Sequence, residues 1–383
     1  MSPGRTVVAI DGEDWLINGA PVLAGCRFRG WRLAGLLLNS RMANGVWDDA
    51  NPLTRHLWAY PDTGVWDPDR NVAELCAALP AYRAHGLGAI SVNLQGGSPL
   101  GYYRAARADA LIARVRERHP AATVEAIWEG VPGIDSQPWS SSGFALDGRL
   151  DAAWAARAGR LIEAADAAGL VVILGLFYFG QDERLRDEAA VARAVDEACS
   201  WVLDQAFTNV VIEIANECDI PRYEHAVLGP GRIHELLAQA RALTRRGQRL
   251  LAGTSFTRRL LPPDAVVAAS DFVLLHGNGI DEPAGIADRV EAVRARSTHH
   301  AMPILYNEDD HYDFDRPENH FTAALSRRAG WGFFDPGDAA GGGHAFGDYA
   351  NGFQNPPVDW RIATPRKQAF FTFIREITGG AAH

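Results

Sequence analysis

Two short apolar runs in this 383-residue sequence end in glutamate. Asn209-Val-Val-Ile-Glu-Ile-Ala-Asn-Glu217 closes on the pair Asn216-Glu217, and Pro303-Ile-Leu-Tyr-Asn-Glu308 closes on Glu308. A carboxyl at the end of a buried strand can act as general acid, base or nucleophile, or it can ligate a hard cation. Other polar residues stand at similar places. His276 ends Val273-Leu-Leu-His276, Asn278 follows it by two, and Asn93 ends a third apolar run. Strand alternation puts Glu213 on the same face as Glu217 and Tyr306 on the same face as Glu308. Glu213 therefore reads as a paired carboxylate inside the sheet, and Tyr306 as a candidate hydrogen-bond donor to Glu308.

The elements that must position these residues follow a repeated strand-then-helix pattern. After an opening hairpin around Asp11-Gly12, within residues 1–20, strands are expected at Pro21–Phe28, Ala89–Leu94, Leu170–Phe177, Asn209–Ala215, Arg249–Thr254, Asp271–Leu275, Pro303–Tyr306 and Gly330–Phe334. They are short and apolar, as parallel strands covered on both faces should be. Between them lie amphipathic stretches: Val191, Val195, Ala198 and Val202 make one helical stripe. A helix over Asn71–His85 should stop at Gly86. Eight such units predict a single α/β domain over 1–383, a (β/α)8 TIM barrel whose bottom the hairpin can plug. Two long connections, 95–148 after strand two and 336–360 after strand eight, leave the C-terminal strand ends. That is where barrels build their sites. Both are rich in aromatics, among them Trp128, Trp139, Tyr349, Phe353 and Trp360, and Trp139 and Phe334 are candidate stacking surfaces for a ligand.

The segment ending in Asn216-Glu217 resembles the fourth-strand motif of clan A glycoside hydrolases, especially the family 5, cellulase-like branch. That resemblance implies that Glu217 is the acid/base and that Asn216 holds the sugar 2-hydroxyl. The same family carries its nucleophile at the end of strand seven, which is where an independent strand count places Glu308. His276 is similar to the family's sixth-strand histidine. The chain departs from the pattern at Cys218, where the family usually has proline, and at Asn278, where it has tyrosine; Trp331 lies inside strand eight, with Phe334 at its end. The implied activity is retaining cleavage of a glycosidic bond, β-linked, by two glutamates. In that chemistry the ionised nucleophile keeps its neighbour protonated.

Composition narrows the field. A formal charge of −10 without a basic stripe argues against nucleic acid or an anionic membrane as partner, and a neutral carbohydrate or glycoside fits better. The only lysine, Lys367, falls inside the last helix, which excludes a Schiff-base aldolase of this fold. Four cysteines without metal spacing read as reduced thiols, and the absence of an apolar leader or span leads us to expect a cytoplasmic protein. No cofactor and no metal are expected. Two alternatives remain at this level. A metal-dependent sugar isomerase or epimerase would use the crowd Glu308, Asp309, Asp310 and His311, and a catalytically silent carbohydrate-binding barrel would keep the aromatics alone.

Overall fold

The computed structural model describes residues 4–99, 105–131, 137–296, 298, 300–337 and 352–380. Parallel pairing runs through β1 (Leu38–Arg41), β2 (Ala89–Asn93), β3 (Val171–Phe177), β4 (Val210–Ala215), β5 (Ala252–Gly253 with Ser255–Phe256), β6 (Val273–His276), β7 (Ile304–Asp309) and β8 (Gly330–Phe333). β8 returns to β1. The ring closes at β5, which changes partner at Thr254: Ala252–Gly253 bonds to β4 and Ser255–Phe256 to β6. This is the (β/α)8 barrel expected from the pattern.

Around it lie α1 (Pro68–Ala84), α2 (Ala105–Arg118), α3 (Val124–Ile127), α4 (Ala152–Ala168), α5 (Glu188–Asp204), α6 (Ile233–Ala242), α7 (Asp264–Ala269), α8 (Pro283–Arg294), α9 (His320–Ser326) and α10 (Pro365–Thr378). Their ends follow local chemistry. Asp67 caps α1 by accepting from the Asp69 and Arg70 amides, and Pro68 occupies its first turn. Past the end of α1, Gly86 has φ +97°, and a Cβ there would lie 2.1 Å from Thr378 Oγ1, so the turn onto β2 needs glycine. Val191, Val195, Ala198 and Val202 of α5 are all buried in the layer between helices and barrel.

The first strand is a correction. Pro21–Phe28 does not enter the barrel; it forms turns and short antiparallel pairings, with Arg27–Phe28 against Trp31–Arg32. The barrel begins at Leu38-Asn-Ser-Arg41 instead. Its inward positions are polar, so apolar patterning passes over it. Arg249 likewise lies outside the fifth strand, pairing with Thr244 in a small hairpin.

The barrel interior is layered. At the bottom, Leu37, Ala89, Val171, Ile173, Val211, Leu274 and Leu305 form one apolar cluster with Trp15 and Phe272. The N-terminal hairpin, Val8–Asp11 against Asp14–Ile17, closes this end through Trp15, whose ring lies 5.1 Å from that of Phe272. Above it the inward side chains become polar. Asn39 donates to Ser91 Oγ at 2.9 Å and to the Asn307 carbonyl at 3.1 Å. This polar layer is the floor beneath the strand ends that carry Glu217 and Glu308.

Candidate active site

Glu217 follows β4 in a left-handed conformation, φ +50°. A side chain in that region costs of order 1 kcal/mol and persists only where neighbours impose it. Here β5 does so: Ser255 Oγ accepts the Glu217 amide at 2.8 Å, and the Ser255 carbonyl accepts the Cys218 amide at 3.0 Å. The turn aims the Glu217 carboxyl across the barrel mouth. Cys218 itself is buried, and burial holds its thiol well above the ordinary range, so it is a packing residue.

Glu308 reaches the same space through a β-bulge in β7. The register against β6 and β8 slips between Tyr306 and Asp309, so that strict alternation fails there. Asn307 points inward, its amide 3.5 Å from Glu213 Oε1, and Glu308 also enters the mouth. Oxygens of Glu217 and Glu308 and a nitrogen of His276 lie within 4.8 Å of one another. Both carboxyls are nearly enclosed, at 3% and 5% exposure.

The bulge overturns the expectation for Tyr306. Its ring faces outward into the helix layer, and its hydroxyl donates to the Ile286 carbonyl of α8 at 2.8 Å. Trp139 is a second correction. It is fully buried in a satellite cluster with Trp47, Trp58 and Trp66, its N–H donated to Gln137, and so offers no face to a ligand. Phe353 and Trp360 stack on each other in the main core. Phe334, directly after β8, is half-buried, with its amide bonded to the Asp309 carbonyl. Tyr349 and most of the 336–360 connection lie outside the described residues.

The other candidates converge. His276, closing β6, places Nδ1 3.0 Å from Glu217 Oε1 and 3.6 Å from Glu308 Oε2. Asn278 donates its amide to Glu308 Oε1 at 2.9 Å. Asn216 accepts from Arg41, while its own Nδ2 is buried without a partner among the described residues. Asn93 ends β2 pointing inward, and neither of its amide atoms has a partner among those residues. Gly175 of β3 makes its place, since a Cβ there would stand 2.5 Å from Asn93 Oδ1. Unpaired buried amides of this kind await a ligand or water.

The residue that sequence reading missed is Arg41. Fully buried at the end of β1, it donates to Glu213 Oε2 at 2.7 Å and Asn216 Oδ1 at 2.5 Å, and its Nε lies 3.0 Å from Glu308 Oε2. One guanidinium thus ties the β4 carboxylate, the amide beside Glu217 and Glu308 together; Glu213 is the paired carboxylate anticipated. Placing strand one at 38–41 was the only signal that could have found it. Tyr178, just past β3, was also missed. Burial, then the nearby charges of Glu308 and Glu217, push its phenol well above the ordinary range.

Electrostatics follow from this crowding. Burial raises the Glu308 pKa, Glu217 and Glu213 add to the rise, and His276 and Arg41 oppose it; the net shift is upward. For His276, burial works downward, but Glu308 and Glu217 outweigh it and hold the imidazole above its ordinary value. The site therefore binds protons more readily than isolated side chains would.

Two groups could be considered for a cation. In the first, Glu217, His276 and Glu308, the Glu308 oxygens already face the Arg41 guanidinium and the Asn278 amide. In the second, Asp309, His311 and His320, the Asp309 oxygens are taken by Nδ1 of His311 at 2.7 Å, Nδ1 of His320 at 2.9 Å and the Trp331 indole at 2.9 Å. The two histidine rings stack at 3.8 Å with 26° between planes, and both Nδ1 atoms are spent on the one carboxylate. In both groups the candidate ligand atoms are engaged with protein partners. The second group instead clamps the far side of the bulge.

No protein-family model matches the sequence, and no curated protein matches it. Solved structures do. An exo-β-1,4-mannosidase from Opitutaceae bacterium strain TAV5 superposes with a TM-score of 0.53 at 14% identity, over 97% of this chain and 62% of the mannosidase. An endo-1,4-β-mannanase from Eisenia fetida gives 0.52 at 11% identity, over 99% and 98%. A family 2 β-galacturonidase from Eisenbergiella tayi, bound to glycerol, gives 0.52 at 10%, over 97% and 54%. The chain shares the (β/α)8 barrel fold of these structures. It spans less than two thirds of the mannosidase's length.

Proposed function

We propose that this protein is a retaining glycoside hydrolase that cleaves a β-linked glycosidic bond by double displacement. The observation that carries the reading is the facing of Glu217 and Glu308 across one barrel mouth, with carboxylate oxygens within 4.8 Å. Separations of ~5–5.5 Å between the carboxyls go with a covalent intermediate, whereas ~6.5–9.5 Å leaves space for a water and gives inversion. Glu308, oriented by Arg41 and Asn278, attacks the anomeric carbon while Glu217 passes its proton to the departing oxygen. Glu217 then takes a proton from water, which releases the sugar from Glu308. The unpartnered Asn216 amide is placed to donate to the sugar, and His276 keeps Glu217 in register.

The two glutamates are separated by role in their mutants. On an activated aryl β-glycoside, found by screening a panel that includes the mannoside and the galacturonide, Glu308→Gln should lose nearly all turnover. Glu217→Ala should still form the glycosyl-enzyme, because the leaving group needs no proton, and azide should then restore turnover and give a β-glycosyl azide. Azide rescue at Glu308→Ala that gives the retained β-glycosyl azide, with none at Glu217→Ala, would exchange the roles. A Glu217→Ala enzyme identical to wild type would end the reading.

A further inference from the structure

A cavity of about 240 Å³ lies between the β1–α1 connection and the C-terminal end of α2, lined by Arg55, His56, Val65, Trp66, Arg118 and His119, among others. None of these residues takes part in the contacts around Glu217 and Glu308. Every ionisable side chain in the lining is basic, in a chain whose formal charge is −10.

The basic groups are also arranged to converge. The Arg55 guanidinium is braced through one nitrogen, Nη1, which donates to Asp48 Oδ1 at 2.5 Å and to the Asp49 carbonyl at 2.6 Å. Its other nitrogens make no hydrogen bond among the described residues. The His56 and His119 rings meet edge to face at 5.3 Å, and His56 Nδ1 is buried with no partner among those residues. Arg118, the exposed last residue of α2, has no ion pair among them either. Burial lowers the His56 pKa, and the charges of His119, Arg118 and Arg114 lower it further. The positive potential that Arg118 and Arg114 set over the His56 ring is one an anion in the cavity would relieve. Guanidinium forks match phosphate oxygens in pairs.

We propose that this cavity is an oxyanion site for a phosphate group, either free or carried by a small molecule such as a sugar phosphate. Arg55 and Arg118 hold the phosphate oxygens, with the His119 ring in the same lining. Val65, 63% exposed, and the edge of Trp66 give an apolar wall for the rest of a phosphorylated ligand. The site stands independently of the glycosidase reading.

The test is isothermal titration of the full chain with inorganic phosphate and with glucose 6-phosphate at constant ionic strength. Wild type is compared with Arg118→Gln and His119→Gln, each checked for an unchanged thermal midpoint. We expect saturable binding of both probes, weakened about tenfold or more by either substitution. Tighter binding of glucose 6-phosphate assigns the site to a phosphorylated small molecule, and equal binding assigns it to the free oxyanion. Absence of saturable binding by both probes, or affinities that neither substitution changes, would overturn the proposal.

Discussion

Replacing Arg41 with leucine tests the electrostatic design of the site. Arg41 is buried and lies between Glu213 at 2.7 Å and Glu308 at 3.0 Å. Without it two buried carboxyls face each other with no cation between them, and removal of one partner from a buried ion pair typically costs about 3–5 kcal/mol. The remaining pair has a cheaper course, which is to bind a proton. Holding one carboxyl protonated at pH 7, against an unfolded value near 4.3, costs about 3.7 kcal/mol at roughly 1.36 kcal/mol per pH unit; at pH 5 the same proton costs only about 1 kcal/mol. The sign follows: a folded state that binds more protons than the unfolded chain is most stable below the unfolded pKa and loses stability as pH rises toward the folded one. Urea unfolding of wild type and Arg41→Leu at pH 5 and pH 7 should show a deficit that grows by about 2.7 kcal/mol over that interval. That figure is the full value for a carboxyl ionised in wild type; because Glu308 is already shifted upward there, any proton it holds in wild type lowers the growth in proportion. A deficit equal at both pH values would mean that the guanidinium contributes packing alone, and the charge argument would be refuted.

Asn278→Ala removes a 2.9 Å hydrogen bond to Glu308. Hydrogen bonds to charged groups contribute about 1.5–3 kcal/mol, so kcat should fall roughly 10- to 150-fold with little change in KM; a change under about twofold would remove Asn278 from the machinery. Tyr306→Phe should leave kcat/KM unchanged and cost about 1 kcal/mol in unfolding experiments, because its hydroxyl serves the Ile286 carbonyl; lost turnover at unchanged stability would contradict this. The acid limb of kcat/KM should lie above the ordinary glutamate range of about 4.3, since Glu308 is shifted upward and must be ionised to attack; turnover falls as pH drops through that point, and a limb at or below 4.3 would contradict the assignment. Turnover should survive dialysis against EDTA. Loss on chelation with recovery on adding a divalent ion would bring the isomerase reading forward.

The barrel was legible because most of its strands are buried on both faces and read as apolar runs. Strand one was not, because Asn39 and Arg41 turn inward as part of the polar floor, and the apolar pattern that marks a strand is absent there. Glu217, Glu308, His276 and Asn278, which the structure brings together, were legible as candidates because each sits at or just past the end of a readable strand. Tyr306 was misread for a definite reason: alternation holds only while the register does, and a bulge between Tyr306 and Asp309 shifts it. Trp139 looked available because it lies in a loop, yet that loop carries its own core.

The sequence by itself determined the strand-and-helix alternation, the strand ends on which the two glutamates sit, and the exclusion of lysine-based chemistry. Those properties are local, set by the period of apolar residues and by which residue types are present at all. Only the tertiary structure decided which polar groups meet. The Arg41 guanidinium joins β1 to β4 and β7 across more than 170 residues of chain, the left-handed turn at Glu217 is held by Ser255 of β5, and the bulge in β7 sends Glu308 inward and Tyr306 outward. Barrel closure brings those strands together, and no short-range pattern records which side chains it will place within a hydrogen bond of one another.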